Sequence, residues 1–292
     1  MTLYLKYSVI YVKVYLVKGG FTIKYKINAV YFSATGTTKK AAEKLAYELA
    51  KHFNEKTIFC KDFTLPSGRI ESLRFSDKDI VIAAVPVYAG RVPNVLLKYL
   101  NSMQGYGAKA VPLVLYGNRD YDDALVELTD ILRTGGFKIC AAGAFIGEHS
   151  FSKVLAEGRP DKRDLEKLSV FAKQIYTKLS SGIESEPLVP GNKKYRDYYK
   201  PKDKNGNPVD IRKVTPKTGI GCTDCKLCVS VCPMGSIDYN DVSKLNNICI
   251  KCGACIKACP VNAKYYDDEN YLHHKYELEI NFAERKEPVV FL

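Results

Sequence analysis

The chain has 292 residues, 46% of them apolar, with 44 Lys and Arg against 32 Asp and Glu for a formal net charge of +12. That length suits about two domains, and the apolar fraction suffices for an ordinary packed core. The charge is uneven: residues 187–217 hold nine Lys or Arg and three Asp, half of the net total. A basic tract raises the question of nucleic acid, but no nucleic-acid motif accompanies it and none is expected as a partner. Leu3–Val17 is apolar but short, and Lys6 and Lys13 interrupt it, so it is no membrane span. It also lacks the small-residue cleavage site of a secretory signal. Residues 1–23 are expected to be an extension outside the native protein. Lys18-Gly19-Gly20 can be encoded by a ribosome-binding sequence, with Ile23 at a suitable distance beyond.

In chain order, residues 25–34 form a β-branched apolar run, and from Gly36 to His52 apolar residues recur at helical spacing. Thr57–Cys60 reads as a short strand. Asp79–Val85 and Val111–Tyr116 are continuous apolar runs, as in strands buried on both faces. Val95–Leu100 is a short helix and Asp122–Arg133 a longer one, stopped by Gly135-Gly136. Phe137–Ile146 is a further strand. Asp161–Leu179 is a helix with Leu165, Leu168, Phe171, Ala172, Ile175 and Leu179 on one stripe. This alternation predicts a parallel α/β sheet covered on both sides over residues 24–183, then a basic linker at 184–216. Within the tail, 269–292, Tyr276–Phe282 alternates like a strand. Cys60 and Cys140 lie in apolar runs and are expected to be buried core thiols.

The other eight cysteines form one pattern written twice: Cys222-x2-Cys225-x2-Cys228-x3-Cys232-Pro233 and Cys249-x2-Cys252-x2-Cys255-x3-Cys259-Pro260. This is the bacterial run for two [4Fe–4S] clusters, in which the fourth cysteine of each run ligates the other cluster. One ligand set is therefore Cys222, Cys225, Cys228 and Cys259; the other is Cys249, Cys252, Cys255 and Cys232. Structural zinc prefers two Cys-x2-Cys pairs separated by a longer stretch. Val229, Val231, Ile250 and Ile256 are expected to shield the clusters. Each oxidised cluster with its four thiolates carries about −2, so two lower the formal charge by about four. Oxygen-sensitive clusters and the lack of a spare disulfide pair point to a cytoplasmic setting. Residues 217–268 resemble the bacterial two-cluster ferredoxins.

The first predicted strand ends in Ser33-Ala34-Thr35-Gly36-Thr37-Thr38, and a helix begins. Free backbone N–H groups and the helix dipole make such a loop an anion site, although a simple Ser/Thr helix cap has the same composition. Neither the Walker A pattern nor G-x-G-x-x-G is present. Ser33-x-Thr35-Gly36-x-Thr38 resembles the loop of flavodoxins that holds the FMN phosphate. That resemblance implies a doubly wound sheet of order 2-1-3-4-5, with ligand at the carboxyl ends of its strands. It also implies that Pro86, Val87, Tyr88, Ala89 and Gly90, together with Gly117, Asn118 and Tyr121, enclose the flavin ring, with Tyr88 and Tyr121 as stacking candidates. His149, beside Glu148, is a candidate for proton transfer to a reduced flavin, or else a structural histidine.

Both halves together resemble the flavodoxin–ferredoxin fusion proteins of anaerobic microbes over residues 24–292. The match includes Pro86-Val87-Tyr88-x-Gly90-Arg91-x-Pro93, residues 116–125 and Gly147-Glu148-His149-Ser150. The resemblance implies an α/β flavodoxin-like domain followed by a small α+β two-cluster ferredoxin domain, and an electron carrier relaying between two [4Fe–4S] clusters and FMN. The basic linker would steer an acidic redox partner, and its Tyr195, Tyr198 and Tyr199 would set the approach of the two domains. Three other readings stay open: a flavin-dependent reductase of a quinone or other small molecule, a ferredoxin with a flavin-free docking module, and an accessory subunit of a larger complex.

Overall fold

The computed structural model describes residues 25–192 and 194–292; the expected extension at 1–23 lies outside them. The first half alternates as predicted: β1 (Lys26–Tyr31), α1 (Thr37–His52), β2 (Ile58–Asp62), β3 (Asp79–Pro86), α2 (Leu97–Leu100), β4 (Lys109–Tyr116), α3 (Ala124–Thr134), β5 (Lys138–Ile139), β6 (Ala142–Ile146) and α4 (Lys162–Ser180). The single strand expected at 137–146 is split in two at Cys140-Ala141. The parallel strands lie in the order β2-β1-β3-β4-β6, with β5 also on β4. Counting β6 as the fifth main strand, this is the flavodoxin-like order 2-1-3-4-5.

Period-two alternation along the strands feeds two cores, one on each face. Ile27, Ala29 and Tyr31 join Ile80, Ile82, Leu113 and Leu115 beneath α1 and α4. Val30 and Phe32 join Val81, Val85 and Val114 beneath α2 and α3. Helix α4 starts from a capping box between Asp161 and Asp164. Cys140 is buried, but Cys60 is exposed, against expectation. It shares a face with half-buried Ile58 on β2, but β2 is the edge strand of the sheet, with a neighbouring strand on one side only, and this leaves Cys60 open to solvent.

Beyond the linker the elements are short: β7 (Lys217–Thr218), α5 (Leu227–Ser230), α6 (Ala254–Lys257) and β8 (Lys264–Tyr265), with β7 antiparallel to β8. The cysteine repeat is also a repeat of backbone shape. Asp224, Lys226 and Gly235 have positive φ, and so do Lys251, Gly253 and Asn262, each 27 residues later.

The tail corrects the sequence reading. Tyr276–Phe282 is not a strand but belongs to helix α7 (Glu269–Asn281). Asp268 caps it by accepting from Tyr271 N at 2.9 Å, and Tyr271, His274 and Leu278 form its buried face. Alternating Glu with apolar residues satisfies either period, and the helix-favouring Glu and Leu side chains decide it here. The chain then returns to the first domain. Strand β9 (Val289–Phe291) pairs antiparallel with β6, Ala142 opposite Phe291.

Candidate functional site

Cys222, Cys225, Cys228 and Cys259 rim one apolar cavity, together with Val242, Val261 and Lys264. These are the four thiols that the spacing grouped. Cys255 lies within electrostatic reach of Cys249 and Cys232, and Cys252 within reach of Cys255, Cys249 and Cys232, so the second set also gathers. Equivalent backbone amides serve both halves. Asp224 N donates to Cys222 Sγ and Lys251 N to Cys249 Sγ, both at 3.4 Å. Ser236 N donates to Cys232 Sγ at 3.3 Å and Ala263 N to Cys259 Sγ at 3.1 Å. Such bonds stabilise thiolate sulfur. Burial pushes the Cys252 and Cys255 thiols up to about 12, so they become thiolates only against bound positive metal. Among the described residues no three His, Cys, Asp or Glu side chains converge on a single ion; the thiols rim a space instead. The donor set fits iron–sulfur cubes.

A second cavity lies at the carboxyl ends of β1, β3, β4 and β6. Thr35, Thr37 and Thr38 line one side; Pro86, Val87 and Tyr88 another; Gly117, Glu148 and His149 a third; and Cys252 of the cysteine repeat completes the wall. Gly36, at φ 87°, turns the chain into α1. Ser33 Oγ accepts from Lys39 N at 2.9 Å, which braces the loop. Among the described residues no hydrogen bond takes up the backbone N–H of Thr35, Gly36, Thr37 or Thr38. These orphan donors at a helix start fit a phosphate. Gly117 has no room for a side chain, since a Cβ there would stand 2.3 Å from His149 Cδ2.

Tyr88 lies between the cavity and the cysteines. Burial, with Cys252 and Cys249 close by, holds its phenol well above the ordinary value. His149 Nδ1 accepts from Phe151 N at 3.1 Å, so the neutral ring carries its proton on Nε2. Burial, then the charges of His274, Lys257 and Arg119, brings its pKa down to about 3. At neutral pH it therefore offers a hydrogen bond rather than an acidic proton.

Several contacts lock the halves together. Lys257 Nζ pairs with Glu148 and donates to the His149 carbonyl at 3.0 Å. Arg69 Nη2 donates to the Pro233 carbonyl at 2.6 Å. Phe151 packs at a tilt against Tyr271, ring centroids 4.7 Å apart, and Tyr271 against Tyr266 at 4.2 Å, beside Cys249. The basic segment is no free linker. Arg91 lies over the Tyr195 and Tyr198 rings, 4.8 and 5.1 Å from their centroids, while its guanidinium pairs with buried Glu127. Tyr198 Oη donates to the Val92 carbonyl at 2.7 Å and Tyr199 N to Ala89 O at 2.9 Å. The segment thus straps the 88–93 loop.

Residues 189–274 match the family model of the 4Fe-4S dicluster domain. The chain is a flavodoxin-like domain fused to a 4Fe-4S dicluster domain. No curated protein matches it. Among solved structures the fusion is similar to a flavodoxin of Streptococcus pneumonia TIGR4, at 18% identity and TM-score 0.37, over 52% of this chain and 98% of that one. A flavodoxin from the domain Archaea matches at 14% identity and TM-score 0.38, over 53% and 98% respectively. An NADH:FMN oxidoreductase in its apo form matches at 19% identity and TM-score 0.35, over 53% and 89%.

Not every residue expected at the flavin meets the fusion's cavity. Tyr121 packs on Tyr116, centroids 5.6 Å apart, and against the core. The Asn118 amide is committed to the tail, donating to Phe282 O at 2.6 Å and Glu284 O at 2.8 Å. The Ala89 carbonyl accepts from Tyr199 N of the strap at 2.9 Å and the Gly90 carbonyl from Asp123 N at 3.1 Å. Ile250 packs on the flavodoxin-like core, while Val229 and Ile256 pack around the cysteines. Sequence reasoning missed Cys252 as a wall of the second cavity, because nothing in the repeat distinguishes it from Cys225. It also missed Lys264, although aligning the two repeats sets that lysine against Ile237.

Proposed function

We propose that this protein relays electrons between two [4Fe–4S] clusters and a bound FMN. The observation that carries the reading is that Cys252 lines the same cavity as the Thr35–Thr38 loop and Tyr88. Cys222, Cys225, Cys228 and Cys259 hold an outer cluster; Cys249, Cys252, Cys255 and Cys232 hold an inner one. FMN, when bound, exchanges one or two electrons, whereas each cluster exchanges one. The orphan amides of Thr35–Thr38 bind the phosphate, Tyr88 borders the ring, and His149 Nε2–H supplies a hydrogen bond without changing charge. Backbone N–H···S bonds and the apolar packing of Val229 and Ile256 hold the thiolates. A reductase would need open access to the flavin. Tyr88, Cys252 and Glu148, the partner of Lys257, border the cavity instead, which favours transfer through the protein over direct reduction of a substrate. The charge of the strap favours acidic redox partners.

The test is flavin content followed by rapid kinetics. Protein purified without oxygen should hold about one FMN per chain, and a one-electron donor should reduce the clusters before the flavin. No FMN in protein with its clusters intact, and no binding of added FMN, would overturn the relay.

A further inference from the structure

The dicluster domain breaks its own repeat at one buried position. Cys232-Pro-Met-Gly-Ser-Ile237 aligns with Cys259-Pro-Val-Asn-Ala-Lys264. Ile237 is 5% exposed and Lys264 only 4%. The Lys264 ammonium donates to Thr218 Oγ1 at 2.6 Å and to the Val242 carbonyl. The residue lines the cavity rimmed by Cys222, Cys225, Cys228 and Cys259. Nearby Lys226, Lys244 and Lys257 are paired with Asp224, Asp241 and Glu148. Among the described residues Lys264 has no carboxylate within ion-pair distance.

Taking an ammonium out of water is strongly unfavourable unless an opposite charge answers it. Two neutral oxygens do not supply one. The cavity's own anionic chemistry does, because its thiols become thiolates around a cluster.

We propose that Lys264 is the built-in counter-charge of the outer cluster and raises its reduction potential above what an apolar residue there would give. One electron from a reductant takes the cluster with its thiolates from about −2 to about −3. A fixed positive charge beside it favours the more negative state. The inner half has isoleucine at the equivalent place. This inference rests on the iron–sulfur part of the functional reading and not on the flavin.

The experiment compares the full chain with Lys264→Ile, which copies the twin position, Lys264→Met, which keeps the length, and Lys264→Arg, which keeps the charge. Iron and sulfide counts on the unaltered chain come first. Fewer than two clusters there removes the underlying reading before any variant is compared. Mediated reductive titrations followed by electron paramagnetic resonance then give both potentials. The expected result is a lower potential for one cluster in the Ile and Met variants, a smaller shift for the other, and values near the original in the Arg variant. Loss of the outer cluster in both neutral variants but not in Arg also supports the counter-charge. Unmoved potentials with clusters intact, equal shifts in all three variants, or loss of the cluster in all three would overturn it.

Discussion

The two halves of the dicluster domain share ligand spacing, positive-φ positions and amide-to-sulfur bonds, yet they face different surroundings. Cys225 is exposed, whereas its twin Cys252 is buried and lines the cavity of the flavodoxin-like domain. Lys226 and Gly253 adopt the same left-handed turn, but only at Gly253 does a second domain press close: a Cβ there would stand 2.5 Å from the Ser150 carbonyl oxygen. Lys264 faces one cavity while Ile237 occupies its place in the other half. A duplicated motif thus becomes directional through what docks on one side of it.

The largest expected effect comes from splitting the cysteine twins. Cys252→Ser should slow electron passage to the flavin by 100-fold or more, on the order of 3 kcal/mol in barrier, read by stopped-flow absorbance. A flavin still reduced at the original rate would break the inner-outer distinction. Gly253→Lys, which copies the twin residue, adds side-chain strain at φ 72° to the clash with Ser150. It should cost about 2 kcal/mol or more and loosen the domain contact, seen as faster hydrogen exchange in residues 147–153. Unchanged exchange would mean that the two turns are interchangeable after all. Asn118→Ala removes both amide bonds to the tail and should cost about 1–3 kcal/mol, exposing residues 282–292 to limited proteolysis; a resistant tail would count against that tether.

A further expected effect is on pH. Burial comes first among the causes that lower the pKa of His149 to about 3 and of His274 to about 4. Both folded values lie below the unfolded value near 6.5. Below that pH the unfolded chain takes up protons that the folded chain refuses, so stability falls as pH drops from about 6.5 toward 4, by at most about 1.4 kcal/mol per unit for each ring. Denaturant resistance measured at pH 7 and pH 5 should show the loss, and His149→Gln should flatten it. An equally steep fall in that variant would point to other groups.

Much of the architecture was legible in the sequence because it rests on local periodicity. The buried runs at 79–85 and 111–116 and the stripe on 161–179 named their elements, and the cysteine spacing grouped the four thiols that rim one cavity. The failures share a physical cause. Tyr276–Phe282 satisfies two periods, and helix-favouring Glu and Leu select the helix together with its packing through Tyr271, His274 and Leu278. Cys60 sits in an apolar run, but its place on the edge strand leaves it uncovered. Asn118 occupies the loop expected at the flavin, yet a segment more than 160 residues later takes its amide. Tertiary partners at that separation leave no trace in local pattern, whereas the place of the Ser33–Thr38 loop between a strand and a helix follows from local pattern alone.

Strand β9 has a consequence for how the molecule is made. The chain leaves the flavodoxin-like sheet after α4, builds the whole dicluster domain, and only then returns to pair with β6. During synthesis, which runs from the N-terminus, that side of β6 stays open until residues 289–291 have emerged. An open strand edge is a template for wrong pairing. The dicluster domain is therefore an insertion within the sheet's assembly, and metal loading that delays its folding also delays closure of the sheet. Shortage of iron or sulfide would then be felt as aggregation of the flavodoxin-like half as well as of the dicluster domain.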